Sequence, residues 1–526
     1  MMNKTTVLID NIKIPISADE NEALAAAERV LKKNRIPYAP EELRIHKKSV
    51  DARRRDSIMF VCSVRCESGE VKEMLPAVPS VRYFEKTELS PKRGTETPDG
   101  RPYIIGFGPA GMFCALLLAK HGMRPVVIER GGCVRERVKK VDHFYESGEL
   151  DEDTNIQFGA GGAGTFSDGK LVTRIGDRRS EYVLETLCRL GAPEDIMWKA
   201  KPHVGTDVLR QVVENAAEEI KRLGGEIRYN TKAEKIKDGA VMINGSWEKC
   251  CCAVVAPGHS ARDLYSELLQ SGYSIEAKPF SVGLRIEHLQ RDIDRALYGD
   301  EELWKKIGHG EYSLSYRQGE RGVYTFCMCP GGEVVAAASE AGGVVTNGMS
   351  RRARDSKNAN AAIAVSVLPS DFGASPTGAI EFQRSLERAA FVVGGGNYRA
   401  PCQSVGNFLE GREGGFSDKI APSYMNSAVT AADFQKLLPS FVTSMLKTGI
   451  TVFGKKLRGF DASDAPLTGI ETRTSAPLRI LRNEKLCALG YDRVYPCGEG
   501  AGYAGGITSA AVDGLRVAEA LLLRFR

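Results

Sequence analysis

The segment Pro102–Arg130 constrains this chain more than any other, because it fixes a strand, a turn, a helix and a second strand at once. Tyr103-Ile104-Ile105 is short, apolar and β-rich, and Gly106-Phe107-Gly108-Pro109-Ala110-Gly111 follows it directly. Met112–His121 then has helix-forming composition, Gly122 suits a C-cap, and Arg124–Glu129 reads as a second buried strand ending in an acid. Each position has a physical task. Gly106 permits the tight strand-to-helix turn, Gly108 lets backbone amides approach a pyrophosphate, and Gly111 lets the helix lie close on the sheet. Pro109 costs little in a first helical turn, and Ala110 leaves that turn open to phosphate. Glu129, about 20 residues beyond the glycines, suits the adenosine ribose hydroxyls, with Arg130 beside it. A glycine-rich turn with no ligand would not need all of these parts. The segment reads as a dinucleotide site.

A second glycine-rich segment lies near the C-terminus. Arg493–Gly500 reads as a strand running into a turn, Ala501–Gly506 continues that turn, and Ile507–Leu523 reads as a helix. Between the two lies Gln157–Lys170, with five glycines in fourteen residues. Such a stretch forms neither a strong helix nor a strong strand. Backbone laid along a flat cofactor explains it, with Gly162 and Ala163 in the close approach and Thr165, Ser167 and Lys170 as donors. A flexible surface loop is the other reading. Val208–Leu223 reads as a helix, Glu226–Tyr229 as a strand, and Ala253–Ser260 as a strand crossing at Gly258.

With these segments in place the chain resembles the large two-dinucleotide-fold flavoprotein superfamily. The resemblance implies FAD as cofactor. It implies that Gly498 and Glu499 meet the ribityl chain or pyrophosphate, and that the backbone of Gly505, Gly506, Ile507 and Thr508 faces the flavin carbonyls. The crossing segment departs from the superfamily pattern at Pro257, which stands where a threonine is usual. The chain is closer still to the uncharacterised bacterial FAD-dependent dehydrogenases. That likeness rests on Gly106–Arg130, Phe158–Leu171, Pro279–His288, Phe326–Gly332, Asn347–Asn360, Gly394–Pro401 and Pro496–Gly514. No second G-x-G-x-x-G follows a strand after residue 130. A resident NAD(P)H domain is therefore not expected, although NAD(P)H can still serve as a transient electron donor.

These readings define an α/β chain: a Rossmann-like FAD-binding domain, an inserted α+β substrate domain and a small N-terminal α+β domain. The expected limits are 1–95 for the N-terminal domain, 96–265 and 475–526 for the two parts of the FAD domain, and 266–474 for the insertion. In the N-terminal part, Thr5–Ile16 is expected as a strand pair, Asn21–Lys33 as an amphipathic helix, and Glu42–Val50 and Ser57–Cys66 as strands. Leu89–Arg101 reads as a linker.

The chemistry is expected in the insertion. Along Lys278–His288, alternation sets Arg285 and Glu287 on one strand face, with Leu284 and Ile286 on the other. Arg285 could clamp a substrate carboxylate, Glu287 orient the substrate, and His288 exchange a proton; a salt-bridged strand with a surface histidine is the competing reading. Cys327 and Cys329 could place a thiol by the flavin, and buried packing thiols are the alternative. Arg351, Tyr398 and Arg399 would suit an anionic substrate, or would sit in solvated loops.

Composition excludes more than it selects. A net charge of +5 over 526 residues does not point to nucleic acid or to an anionic membrane. The cluster Lys47, Lys48, Arg53, Arg54 and Arg55 reads as a solvated strand end or as a phosphate- or RNA-binding edge. No apolar run reaches the ~20 residues that span a bilayer, and the N-terminus lacks a signal-peptide core, so the protein is read as cytoplasmic. The thirteen cysteines show no structural zinc spacing, and no metal is expected. The expected function is hydride transfer between flavin N5 and a small, anionic molecule. An FAD-dependent RNA-modifying or RNA-binding protein and a non-catalytic flavin sensor are the alternatives, and oligomeric state is left open.

Overall fold

The computed structural model describes residues 5–54, 56–68, 78–84, 89–300, 303–417 and 419–526. Three sheets carry the architecture, and the middle one in chain order is parallel. Its strands run in the order Val494–Pro496, Cys252–Val255, Pro102–Ile105, Val126–Ile128 and Glu226–Arg228, with every neighbouring pair parallel. The chain winds outward in one direction from Pro102–Ile105 and later returns on its other side. That reversal opens a crevice at the C-terminal strand ends, where open α/β sheets take their ligands.

Helix Pro109–Lys120 is apolar all round because it is covered on both sides. On one side Gly111 lies so close to the turn that a Cβ there would come within 2.0 Å of the Gly106 carbonyl. On the other, the helix Ile507–Arg524 crosses it at Gly514, where a Cβ would meet the Ala110 carbonyl at 2.1 Å. The two helices that begin at the crevice are therefore held by direct backbone approach.

A seven-stranded sheet forms the second layer system, in the order Ser315–Gln318, Arg321–Cys329, Asn358–Val367, Phe280–Leu289, Pro466–Glu471, Ala400–Ser404 and Val429–Ala431. Phe280–Leu289 is central and buried along its whole length, so its alternation separates two covered faces and no solvent face. The chain leaves the parallel sheet through Ile275–Ala277 and comes back through Leu478–Ile480, and these two strands pair antiparallel.

The N-terminal sheet runs Arg44–Asp51, Met59–Ser68, Thr5–Pro15, Val81–Phe84, with the helix Glu20–Lys33 on it. Thr5–Ile16 is not a strand pair. It is one strand, Thr5–Pro15, whose register breaks between Ile9 and Ile12 with Asn11 at φ 61°, and this bulge mimics a turn in the sequence pattern. Lys48 is not part of a free basic edge: its backbone pairs with Trp198 and Ala200, and its ammonium lies over Phe60 and reaches Glu20 at 3.4 Å. Arg53 is paired with Asp51, and Arg55 lies outside the described residues. The Leu89–Arg101 segment is tied down at Gly94 and Glu96, which pair with Leu522, Arg524 and Arg526. No helix among the described residues is long and apolar enough to cross a membrane.

Candidate functional site

A cavity of about 360 Å³ occupies the crevice of the parallel sheet and extends to the edge of the seven-stranded sheet. Both helices that begin there do so without a side-chain cap, at Gly108 and Gly506. Their first-turn amides have no intrahelical acceptor, so each helix points unsatisfied donors and a partial positive charge at the cavity. A Cβ on Gly505 or Gly506 would meet no atom within 4 Å, which places that backbone against open space. Gly108 faces Gly162 across the crevice, and a Cβ on Gly108 would touch only the Gly162 Cα, at 3.8 Å.

Of the residues singled out from sequence, Gly106, Gly108, Pro109, Ala110, Glu129, Arg130, Gly162, Ala163, Ser167, Lys170, Gly258, Glu499, Gly505, Gly506 and Ile507 line this one cavity. Gly111, Thr165, Gly498 and Thr508 do not. Gly111 and Gly498 are packing positions, the latter with no room for a Cβ, which would come within 2.6 Å of the Ala110 Cβ. The Thr165 hydroxyl is spent on the Ala160 carbonyl and that of Thr508 on the Leu171 carbonyl, so neither is a donor to a ligand. Ser167 lines the cavity, but its hydroxyl donates to the Gly164 carbonyl at 2.6 Å.

Glu129, expected to face a ribose, has a structural task as well. Its carboxylate accepts the backbone amides of Phe107 at 2.8 Å and of Gly131 and Gly159 at 3.0 Å each. Three of about four lone-pair positions are used, which leaves one for a hydroxyl from the cavity. The side chain therefore ties three turns into one wall. Arg130 lies over the Phe158 ring at 4.2 Å and is held by Asp263 at 2.9 Å, which makes a flat cationic shelf at that end.

The Gln157–Lys170 loop is shaped by four glycines at positive φ, Gly159, Gly161, Gly162 and Gly169. It is pinned from below by Arg137, which is fully buried and donates to the carbonyls of Asn155, Ile156, Ala160 and Gly162 at 2.7–2.8 Å. Arg137 was not foreseen, although the signal is present: it stands with Val134, Val141 and Phe144 on the inward stripe of the helix Val134–Ser147. A cation on an apolar stripe needs buried acceptors. Lys170, at the loop's end, donates to Asp168 at 2.8 Å and to the Met328 carbonyl. Burial works against its charge, but Asp168, with Cys329, Cys327 and Glu311, together outweigh it, so its pKa stands above the ordinary lysine value. Asp168 is itself clamped by both Arg354 and Lys170.

The far end of the cavity is made by Phe326, Cys327, Asn347, Glu471, Arg473 and Thr474 from the insertion and its return. The expected trio stands behind this wall. Arg285 is not a substrate clamp: it is fully buried and all five of its N–H groups are used, on Glu471 (3.0 and 3.1 Å), the Cys327 carbonyl (3.0 Å), Asn360 (2.9 Å) and Asn347 (2.9 Å). Glu287 does not orient a cavity ligand. It is buried against the Ser423 amide and hydroxyl and against Asn358, and burial holds its carboxyl above the usual range. His288 is buried, with Nε2 2.8 Å from the Phe460 carbonyl, and burial lowers its pKa, which does not suit a proton exchanger at the cavity. The strand carries one ion pair, Arg285 with Glu471, while Glu287 is held by Ser423 and Asn358 and the histidine lies inside rather than on the surface. Arg351, Tyr398 and Arg399 do not line the cavity either.

Two carboxyls remain at the cavity wall with unusual titration. Glu471 is raised by burial, against the pull of Arg285. Burial pushes Glu499 up to about 7, against a weaker pull from Lys278. His259 lines the crevice as neutral imidazole, since burial first, then Arg473 and Arg262, lower its pKa to about 3. Among the described residues no group of three or more His, Cys, Asp or Glu side chains could hold a metal ion.

Residues 279–474 match the family model described as "FAD-dependent protein, C-terminal domain-like", and residues 7–67 match a domain of unknown function, DUF8436. Over 531 aligned residues the chain is 46% identical to an uncharacterized protein of Clostridium beijerinckii (strain ATCC 51743 / NCIMB 8052), covering 99% of each. It belongs to the family of that protein. Among solved structures, CtdE in complex with FAD matches at TM-score 0.33 and 10% identity over 81% of this chain and 84% of that one. FqzB matches at TM-score 0.33 and 13% identity, over 83% and 80%. Likenesses this shallow add nothing to the argument from the site.

Proposed function

We propose that this chain is an FAD-dependent oxidoreductase that moves a hydride between flavin N5 and a small molecule. One observation carries the reading. A single continuous cavity joins two uncapped helix N-termini, the shelf of Arg130 and Phe158, and the insertion wall around Cys327 and Glu471. The name of the family model matched by residues 279–474 supports the same cofactor. The residues fit it: amides without acceptors for a pyrophosphate, an acid with one lone pair left for a ribose hydroxyl, and an open backbone at Gly505 and Gly506.

When bound, FAD would supply the redox chemistry, accepting or donating the hydride. The chain's part is positioning and electrostatics. The amide of Ala110, in the uncapped first turn after Gly108, would meet phosphate oxygens, and the helix beginning at Ile507 would favour negative charge near it. Glu499, neutral up to about pH 7, can donate a hydrogen bond to an anionic group rather than repel it. The cations of the wall are matched within the protein, Lys170 by Asp168 and Arg473 by Glu387, so the substrate reading carries no built anion clamp. NAD(P)H is proposed only as a transient donor.

The test is an anaerobic visible spectrum of the purified protein before and after adding NADH or NADPH. A yellow protein that bleaches supports the reading and identifies the donor. A colourless protein that cannot be reconstituted with FAD overturns it.

A further inference from the structure

Where Arg321–Cys329 meets Asn358–Val367 the register breaks between Phe326 and Cys329, and Cys327, inside the gap, takes φ +46°. The bulge removes Cys327 from the ladder and sets it in the cavity wall. Two cations fasten the bulge: Arg285 donates to the Cys327 carbonyl at 3.0 Å, and Lys170 donates to that of Met328. Lys170 uses two of its three donors, on Asp168 and Met328, and its side chain keeps 26% of its surface open at the cavity, which leaves one N–H for a ligand. A soft nucleophile and an unspent donor thus share one end of the cleft, and the phosphate and ribose contacts proposed for FAD lie at the other.

We propose that Cys327 captures α,β-unsaturated carbonyl compounds at this end of the cleft, with Lys170 holding the carbonyl oxygen. The thiolate sulfur bonds to the β carbon, and the alkene π pair moves toward the carbonyl. The α carbon then takes a proton from water, nothing leaves, and no net oxidation occurs. The surroundings favour the thiolate: the neighbouring Cys329 thiol first, then Lys170 and Arg285, lower the Cys327 pKa against burial and the charge of Asp168. Glu471 and Glu499 also face this thiol. A thiol with lowered pKa in a cationic, cavity-facing setting is the reactive kind, in contrast to buried packing cysteines.

The inference rests on the cavity and not on which cofactor fills it. The purified protein is treated with N-ethylmaleimide over a range of pH, and the labelled peptides are mapped by mass. The native chain is compared with the same chain in guanidinium. Cys327 is expected to label first, with a half-maximal rate about one pH unit or more below that of the denatured chain. Lys170→Met is expected to slow native labelling of Cys327 about tenfold or more at neutral pH. If that variant does not fold, the native-against-denatured comparison decides alone. Another cysteine labelling first, or equal pH dependence in the native and denatured chains, overturns the proposal. A colourless protein that still labels at Cys327 would sink the flavin reading and leave this one standing. A yellow protein inert at Cys327 would do the reverse.

Discussion

Arg262 and Glu387 meet through two hydrogen bonds of 2.8 Å, both side chains almost wholly buried, and this pair joins the crevice to the inserted sheet. Arg262 begins the helix Arg262–Gln270 beside the crevice, whereas Glu387 lies on Pro376–Val393 of the insertion. Arg473, in the cavity wall, shares the same carboxylate at 3.1 Å. Removing Glu387 would leave two guanidinium groups buried, with Glu340 the carboxylate that still pairs with Arg262. Glu387→Ala is expected to destabilise the protein by about 3–5 kcal/mol, read from the denaturant midpoint. A loss under about 1 kcal/mol would show that the pair does not hold the two parts together.

Glu499 gives a pH signature with an unusual sign. Its folded pKa, about 7, lies above the ordinary carboxyl value, so between the two the folded chain keeps a proton that the unfolded chain has released. Stability therefore falls as pH rises through that window. In flavin-free protein, Glu499→Gln should unfold at a higher temperature than the parent near pH 8, and the gap should close near pH 5. A gap that does not change with pH would contradict the assignment.

Glu129→Gln tests the tie between three turns. An amide cannot accept at both ends, so one of the Phe107, Gly131 and Gly159 amides must face an N–H. The expected cost is about 1.5–3 kcal/mol even without flavin. A variant of unchanged stability that merely binds FAD more weakly would show that the ribose contact, and not the wall, is its main task.

Gly108→Ala separates binding from folding. The added methyl group meets only Gly162, at 3.8 Å, and φ at this position is −77°, which alanine adopts freely. Melting of the flavin-free protein should be unchanged, and FAD affinity should fall about 10–100-fold, the cost of a methyl group in a close-packed site. Undiminished flavin content would place the pyrophosphate elsewhere.

The crevice was legible because its determinants are local. A glycine that must turn, a helix that must start and an acid that must close a strand stand at fixed offsets, so Gly106, Gly108 and Glu129 could be read from a single sequence. The insertion side was not legible for the opposite reason. Glu471, Arg473 and Thr474 reach the cavity only because Pro466–Glu471 returns to pair with Phe280–Leu289, and nothing near them in sequence marks that return. Arg285 misled because alternation along a strand tells which face a side chain takes, but not what already stands on that face. Here the answer was Glu471, Asn347 and Asn360. The bulge at Asp10–Asn11 misled in the same way, since a one-residue irregularity and a hairpin turn leave similar traces.

The crevice is walled on one side by Gly106 and Gly108, near the start of the parallel sheet, and on the other by Glu499 and Gly505, which follow its last strand. During synthesis these walls emerge far apart in time, with the whole seven-stranded sheet made between them. A nascent chain thus carries one wall of the crevice and no counterpart to close it. On the function proposed above, cofactor capture is a finishing step: a chain interrupted before its last helix would keep the dinucleotide fingerprint and lack the second wall of the proposed flavin site.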